Sequence, residues 1–293
     1  MSDSSAGTVG SPGFGTRLRA TMERYGRLCI GIDPHPWLLE RWELDDSAAG
    51  AREFGLRVLN AIAGTLGIVK PQLAFFERYG SAGYQALERV LAEARGIGVQ
   101  TIIDAKRGDI GSTMDAYASA WLTPGSALEG DALTVSPYLG LGALSGTAKL
   151  ARSTGKGLFV LAATSNPEAA GLQQAWRADV EQSVAASIVS GVAEWNVPDE
   201  AMGSFGVVIG ATLRLEQFGV ALDAAASPTL PVLAPGFGEQ GAHPSEIAER
   251  YGALAPGVIV TESRSLLEFG RDGLRQAAER RRDDIAAHYA ESA

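Results

Sequence analysis

The sequence predicts an α/β fold, a single-domain (β/α)8 TIM barrel with a short N-terminal helix, and three observations predict it. Short apolar runs alternate with helix-forming segments eight times along the chain. The runs are continuous, which indicates strands covered on both faces, as in parallel sheets. Eight such units over about 250 residues is the size of a closed barrel. An open doubly wound sheet is the alternative, but no Gly-x-Gly-x-x-Gly follows the first strand, which weakens a dinucleotide-binding version.

The N-terminal segment differs from the rest in composition. Residues 1–15 are rich in Ser and Gly and lack a basic stretch followed by an apolar one, which predicts a disordered tail instead of a signal peptide. Residues 16–25 have helix-forming composition. We therefore expect a tail over 1–15 and one catalytic barrel domain over 16–293. The sequence contains no run of 18 apolar residues, so no membrane-spanning helix is predicted.

Eight strands and eight following helices can be placed in order. The strands are predicted at the apolar runs 28–33, 67–73, 99–104, 132–136, 157–163, 205–211, 232–234 and 258–261. The helices are predicted within residues 47–66, 83–95, 110–122, 141–153, 171–195, 213–225, 245–252 and 266–289. Ser47 and Asp109 are the expected N-caps of the first and third of these helices. Residues 37–46 are expected to form an irregular insertion, and the basic cluster 280–282 a solvated helix face.

Charge and cysteine content limit the function classes. The net charge of −9 argues against nucleic acid or an anionic membrane as a partner, although a local cationic pocket can still bind a small anion. Cys29 is the one cysteine, so no disulfide forms within the chain, and we expect a reducing, cytoplasmic location. The three histidines are too scattered to suggest a metal site. No residue pattern calls for a metal or an organic cofactor.

Polar residues follow most of the strands at the end where barrels carry their chemistry. Asp104 and Lys106 end the third strand, two residues apart, and should point to the same side. The residues at the other strand ends are Asp33, Lys70, Ser136, Thr212, the loop 236–241 and Arg264. The Gly-rich loop and Arg264 come from the last two units, where phosphate is often held. By themselves, however, a strand-end ion pair and a plain turn would explain these residues equally well.

The stretch Asp-x-Lys-Arg-x-Asp-Ile-x-x-Thr at 104–113 resembles the signature of the orotidine 5'-phosphate decarboxylase family. The resemblance extends over about residues 28–267. It implies that Asp104 and Lys106 lie beside the reacting carbon, and that Asp109 and Thr113 reach across a homodimer interface into the partner's site. Losing CO2 from the pyrimidine leaves a carbanion that the ring delocalises poorly, so fixed charge must stabilise it without a cofactor. The Lys106 ammonium suits that task and the protonation of C6, with Asp104 and Asp109 holding it by opposite charge.

The resemblance also implies residues that bind the substrate, orotidine 5'-phosphate. Asp33 and Lys70 would hold the ribose, and Ser136 the pyrimidine. Gln240 would bridge the pyrimidine and the phosphate, Gly241 beside it would also bind substrate, and Arg264 would clamp the phosphate.

Several positions depart from the shorter members and resemble the longer, type 2 branch. They are Pro137-Tyr138 after the fourth strand, Thr164-Ser165-Asn166-Pro167 after the fifth, and Ser263 where a glycine is usual. Glu239 lies in the expected phosphate loop, and an acid beside a phosphate is unfavourable. We therefore expect Glu239 to point outward.

Three other interpretations remain open at this point. The first is a magnesium-dependent sugar-phosphate decarboxylase or aldolase of the same barrel group, which would need an added glutamate ligand. The second is a non-catalytic regulator that binds UMP. The third is a barrel whose charged residues form structural ion pairs only.

Overall fold

The computed structural model describes residues 12–198, 200–221 and 227–290 and contains a closed parallel barrel of eight strands. In chain order the strands are β1 Leu28–Ile32, β2 Ile68–Pro71, β3 Gln100–Arg107, β4 Ala132–Val135, β5 Gly157–Ala163, β6 Phe205–Ile209, β7 Val232–Pro235 and β8 Val258–Glu262. Each strand pairs in parallel with its neighbours in the sequence, and β8 closes the ring onto β1. The (β/α)8 barrel prediction is confirmed, and β5 has the predicted bounds.

Helices cover the outside of the barrel. They are α1 Phe14–Tyr25, α2 Pro36–Arg41, α3 Ala48–Ile62, α4 Ala74–Glu77, α5 Gly80–Gly96, α6 Gly111–Leu122, α7 Ser145–Ser153, α8 Ala170–Gln173, α9 Val184–Glu194, α10 Ile247–Tyr251, α11 Arg264–Leu267 and α12 Gly270–Ala290. Short 3-10 turns add Leu141–Leu144, Pro167–Ala169, Leu215–Phe218, Pro244–Glu246 and Gly252–Gly257. A two-stranded antiparallel hairpin, Trp176–Arg177 with Gln182–Ser183, lies between β5 and α9. No helix in the described ranges is both long and apolar enough to cross a membrane.

The core has two parts, because each strand buries both faces. One part lies between the barrel and its helices, and the other fills the inside of the barrel. The inner part includes Cys29, Ile68 and Phe159, and it is closed by Phe14 and Leu18 of α1. The Phe14 ring meets Phe159 edge to face at 6.0 Å. Helix α1 thus covers the end of the barrel opposite to the loops that follow the strands.

The tail predicted over 1–15 includes two residues that belong to a helix. Phe14 and Gly15 belong to α1 and are buried, with Phe14 fully inaccessible. Their burial under the barrel fixes them, whereas composition alone suggested a tail. Residues 1–11 lie outside the described residues.

Three predictions of local structure were wrong. The irregular insertion predicted over 37–46 is wrong for its first half, because α2 runs from Pro36 to Arg41; residues 42–46 are irregular, and the indole of Trp42 is buried, donating to the Leu267 carbonyl at 2.9 Å. The stretch 213–225 forms only the 3-10 turn Leu215–Phe218, which Gly219 ends in the left-handed conformation; residues 222–226 lie outside the described part. Ile110, not Asp109, occupies the N-cap of α6, without a side-chain cap. Ser47 caps α3 as predicted, accepting from the Gly50 amide at 3.1 Å.

Candidate active site

A cavity of about 340 Å³ opens at the end of the barrel where the strands stop. Residues from the ends of seven strands, all but β6, supply its polar wall, and β6 contributes Val208. Six of the ten residues predicted for the site line it: Asp33, Lys70, Asp104, Lys106, Gln240 and Arg264. The barrel closure therefore collects side chains that are far apart in the sequence, as expected for this fold.

Asp104 is the centre of the charged cluster in this cavity. Its Oδ2 atom lies 3.0 Å from Lys70 Nζ, and its Oδ1 atom lies 2.5 Å from Lys106 Nζ. Gln72 Nε2 donates to Oδ2 at 2.9 Å, and the Thr134 hydroxyl donates to Oδ1 at 3.0 Å. Four donors hold the carboxylate in one orientation, so two ammonium groups are fixed around one negative charge.

Burial differs sharply between the two lysines. The side chains of Lys70 and Asp104 are 8% and 10% exposed, whereas that of Lys106 is 47% exposed. Burial by itself would raise the pKa of Asp104, but the ammonium groups of Lys70 and Lys106 outweigh it and hold that pKa well below its usual range. Burial would lower the pKa of Lys70, but Asp104 and Asp33 raise it above the ordinary value. Lys70 and Asp104 are thus a buried ion pair, and Lys106 presents its charge to the open cavity.

The backbone at Lys106 is unusual for a residue with a side chain. Its φ angle is +48°, in the left-handed region, and the pairing of β3 with β4 shifts register between Ile103 and Arg107. The Lys106 amide donates to the Thr134 hydroxyl at 2.9 Å. Such a bulge at a strand end turns one side chain out of the regular alternation, and backbone strain of this kind concentrates at functional sites. Strand β3 therefore continues past Asp104, instead of ending there as predicted.

The opposite wall of the cavity is formed by the loop after β7 and the turn after β8. Gly236, Phe237, Glu239 and Gln240 line it together with Arg264. Glu239 does not point outward, as was expected; its Oε1 atom lies 3.3 Å from Arg264 Nη1. Glu239 and Arg264 thus form an ion pair that is about half exposed. An anion that binds Arg264 would therefore compete with Glu239.

Asp33 is hydrogen-bonded by the residue that follows the last strand. The Ser263 hydroxyl donates to Asp33 Oδ2 at 2.6 Å, and Oδ1 is buried with no hydrogen-bond partner among the described residues. A Cβ on Gly31 would lie 2.7 Å from the Cβ of Ser263, so a side chain there would displace the serine. Asp33 can thus accept a further hydrogen bond from a bound hydroxyl.

Four predicted site residues lie outside this cavity. Asp109 is half buried, and its carboxylate accepts from the adjacent Ile110 amide at 2.8 Å, while Thr113 is exposed on the first turn of α6. Gly241, the last residue of the 236–241 loop, is exposed and does not line the cavity. Ser136 lines a neighbouring cavity of about 750 Å³ that shares Leu161 with the first.

The family of this chain is decided by comparison with known proteins. Residues 26–268 match the model of the orotidine 5'-phosphate decarboxylase / HUMPS family. The chain belongs to this family. The chain is 47% identical over 270 residues to a protein of Streptomyces coelicolor named orotidine 5'-phosphate decarboxylase, covering 91% of this chain and 95% of the relative. A decarboxylase of that name from a Nocardioides species is 44% identical over 275 residues, covering 93% and 98%.

Solved structures agree with this family assignment. A Streptomyces avermitilis structure described as an orotidine 5'-phosphate decarboxylase has a TM-score of 0.90 and 46% identity, covering 96% of this chain and 97% of that one. An OMP decarboxylase from Leishmania donovani has a TM-score of 0.74 and 29% identity, covering 94% and 98%. The resemblance of the sequence to the decarboxylase family is confirmed.

Sequence reasoning missed several cavity residues of this family member. Gln72 and Thr134 hold Asp104, but both lie in or next to apolar runs, and little in the sequence marks them as functional. The one signal for Thr134 is that it is a hydroxyl residue two positions before Ser136 in the predicted strand 132–136. Glu262, the last residue of β8, also lines the cavity, and no sequence prediction included it. In the described part of the chain, no group of three or more His, Cys, Asp or Glu residues is placed to hold a metal ion.

The histidines and the basic cluster have structural contacts. His35 packs on Phe75 at 4.1 Å, and the His243 ring accepts from the Ser245 amide as the N-cap of a 3-10 turn. Arg281 does not lie on a solvated face, because its Nε atom is 2.6 Å from the buried Glu262. That part of the prediction for 280–282 was wrong.

Proposed function

We propose that this protein converts orotidine 5'-phosphate to UMP and CO2, the last step of UMP biosynthesis, with Lys106 as the charged group at the reacting carbon. The observation that carries the proposal is the position of Lys106. Its ammonium reaches the open cavity at 47% exposure while Asp104 holds it at 2.5 Å. A fixed positive charge beside a fixed carboxylate suits a reaction that develops negative charge on carbon.

The chemistry follows from this arrangement. When the bond between C6 and the carboxylate breaks, CO2 leaves and the electron pair stays on C6. Lys106 stabilises that pair and then donates a proton from Nζ to C6, and solvent returns the proton to the amine. Asp104 stays ionised throughout, because its pKa is held low by the two lysines. No electron sink is needed, so we propose that the enzyme uses no metal and no organic cofactor.

The remaining cavity residues are proposed to bind the rest of the substrate. Asp33, with one free acceptor oxygen, and Lys70 hold the ribose, and Arg264 with Gln240-Gly241 holds the phosphate. Binding energy from the distant phosphate can be used to close the loop and order the site. Ser136 is proposed to contact the pyrimidine from the neighbouring cavity, next to the shared Leu161.

We also propose that the enzyme is a homodimer in which Asp109 and Thr113 complete the partner's site. In support, Asp109 and Thr113 do not line their own cavity. Large apolar side chains are exposed nearby in the sequence. Ile110, next to Asp109, is 62% exposed, and Tyr138 and Leu139, which follow β4, are 75% and 52% exposed. Contiguous exposed apolar residues mark interaction surfaces, and the proposed dimer would cover these side chains. A reducing, cytoplasmic location is proposed from the single cysteine.

The proposal is tested by the ultraviolet absorbance of orotidine 5'-phosphate after adding the purified protein with EDTA present. We expect a change to the UMP spectrum. A reaction that EDTA abolishes would favour the magnesium-dependent sugar-phosphate enzymes of the same family. A flat trace with UMP binding measured separately would indicate a regulator. A flat trace without UMP binding would leave Asp104 and Lys106 as a structural ion pair.

A further inference from the structure

A buried carboxylate lies at the end of β8, next to the proposed phosphate site but without a role in the reaction described above. The side chain of Glu262 is 0% exposed, although the residue borders the active-site cavity. Burial of an unpaired carboxylate costs several kcal/mol or more, so its partners are informative. The Arg281 Nε atom lies 2.6 Å from its Oε1 atom, and the Ser265 hydroxyl donates to Oε2 at 2.8 Å.

The glycine loop after β7 rests directly on this carboxylate. Gly238 has φ +73°, and a Cβ there would lie 2.8 Å from Glu262 Oε2 and 2.5 Å from the Ser265 hydroxyl. The loop is closed on itself, because the Gly241 amide donates to the Gly238 carbonyl at 2.9 Å and the Ala242 amide to the Gly236 carbonyl at 3.3 Å. The position of Gly238 in this loop is therefore set by its contact with Glu262 and Ser265.

The C-terminal helix α12 contacts both the end of β8 and the segment just after the glycine loop. Arg281 reaches Glu262 at the end of β8, and its Nη1 atom also pairs with Asp284 at 3.0 Å. Asp284 lies 3.5 Å from His288, whose ring is 5.6 Å from that of His243, just after the glycine loop. One helix therefore holds the base of the loop and the turn that carries Arg264.

We infer that Glu262 is a positioning residue for the substrate's 5'-phosphate. Through Ser265 and Arg281 it sets where the 236–241 loop and Arg264 meet the phosphate. This rests on the proposed function, which assigns the phosphate to that wall. Burial raises the pKa of Glu262, against the lowering effect of Arg281 and Ser265, in keeping with a carboxylate that depends on these partners.

The test compares ligands with and without a phosphate. Glu262→Gln keeps the size of the side chain and can still accept from Ser265, but it removes the charge that Arg281 pairs with. We expect KM for orotidine 5'-phosphate and the inhibition constant of UMP to rise about tenfold, while kcat changes less than about threefold. The inhibition constant of uridine, which lacks the phosphate, should stay within about twofold of wild type.

Two further variants keep the test decisive. Glu268→Gln changes an exposed acid six residues later and should leave all constants unchanged. If Glu262→Gln does not fold, Ser265→Ala removes a single hydrogen bond from the same carboxylate and should show a smaller shift with the same preference for UMP. Arg281→Gln should lose affinity for UMP, whereas Arg281→Lys, which keeps the positive charge, should retain most of that affinity.

A purely structural role for Glu262 predicts a different result. Affinities for UMP and uridine would then fall together, or only the melting temperature would fall, and either result would overturn the inference. Failure of the proposed function shows separately, as wild-type protein that binds UMP but releases no CO2. The comparison of UMP with uridine can still be made in that case.

Discussion

At the scale of single residues, the site depends on the different burial of two lysines that share Asp104. Lys70 is buried with it, and Lys106 faces the cavity. Removing one partner of a buried charge pair leaves the other uncompensated, whereas removing an exposed partner costs little stability. Lys70 is thus expected to matter for folding as well as binding, and Lys106 for chemistry.

Lys106→Ala should lower kcat by several decades while the fold survives, because the charge that stabilises the carbanion is lost. Each decade corresponds to about 1.4 kcal/mol of barrier. The measurement is kcat by the absorbance assay, with circular dichroism to confirm folding. Lys149→Ala, at an exposed lysine of α7, is the control. Near-normal turnover of the Lys106 variant would show that another group donates the proton.

Arg264→Ala should mainly raise KM for orotidine 5'-phosphate, by about ten- to a hundredfold, because a charge-assisted contact to the phosphate is lost. The variant also frees Glu239 beside the phosphate, which adds repulsion. Arg264→Ala combined with Glu239→Gln should recover part of the loss. An unchanged KM in the single variant would remove Arg264 from the site.

Asp104 should contribute to acid sensitivity. The pKa of Asp104 is lower in the folded protein than in the unfolded chain, so the unfolded chain takes up the proton first as pH falls. The stability that ionised Asp104 provides is therefore lost as pH falls from about 4 toward the pKa of the folded state. One proton corresponds to at most about 1.4 kcal/mol per pH unit. The measurement is the urea midpoint of unfolding between about pH 5 and pH 3. This midpoint should fall less steeply with pH for Asp104→Asn than for wild type.

The control for that experiment is Asp272→Asn, which removes the same charge from a side chain that is 90% exposed and has only an exposed partner, Arg271. Equal slopes for Asp104→Asn and wild type would show that Asp104 is not linked to acid unfolding.

At the scale of elements, the N-terminal helix closes the barrel end opposite to the site. Phe14 of α1 is fully buried against Phe159, and a Cβ on Gly157 would lie only 2.3 Å from the Phe14 ring. Glycine at the start of β5 therefore makes room for the ring. The composition of the tail hid this, because a single aromatic residue among Ser and Gly looks like part of a disordered segment.

Phe14→Ala should lower the free energy of unfolding by about 3–5 kcal/mol, since it leaves a cavity inside the barrel. Phe269→Ala, at a ring that is 55% exposed, should change it by less than about 0.5 kcal/mol. Urea denaturation of both variants measures the difference. A small effect at Phe14 would mean that α1 contributes little to the barrel core.

At the scale of the whole molecule, the proposed dimer can be tested by complementation. Subunits with Lys106→Ala and subunits with Asp109→Ala should each be nearly inactive. Mixed after unfolding and refolding together, they should recover about a quarter of wild-type activity, because half of the dimers are mixed and each has one intact site.

A control mixture of a different pair of variants tests whether recovered activity comes from sites shared between subunits. Lys106 and Asp104 lie in the same cavity of one protomer. Lys106→Ala mixed with Asp104→Asn should therefore stay inactive. No recovery in verified Lys106 and Asp109 heterodimers would count against Asp109 crossing the interface.

The sequence by itself determined the barrel, its strands and the family. Strands buried on both faces must be apolar throughout, and this local pattern can be recognised without knowing any contact. It also brought Asp104 and Lys106 together at the end of β3, since they lie two residues apart in the chain, although the bulge at Lys106 means that regular alternation is not what aims its side chain.

Only the tertiary structure decided which distant groups meet. Lys70 reaches Asp104 across 34 positions in the sequence, Arg281 reaches Glu262 from the last helix, and Glu239 turns toward Arg264 instead of outward. Barrel closure sets these pairs, because it joins the strand ends in space whatever their separation in the chain. Local patterns predict that the barrel closes but not which side chains then meet, so the bulge at Lys106, the burial of Phe14 and the support under the glycine loop could not be predicted from them.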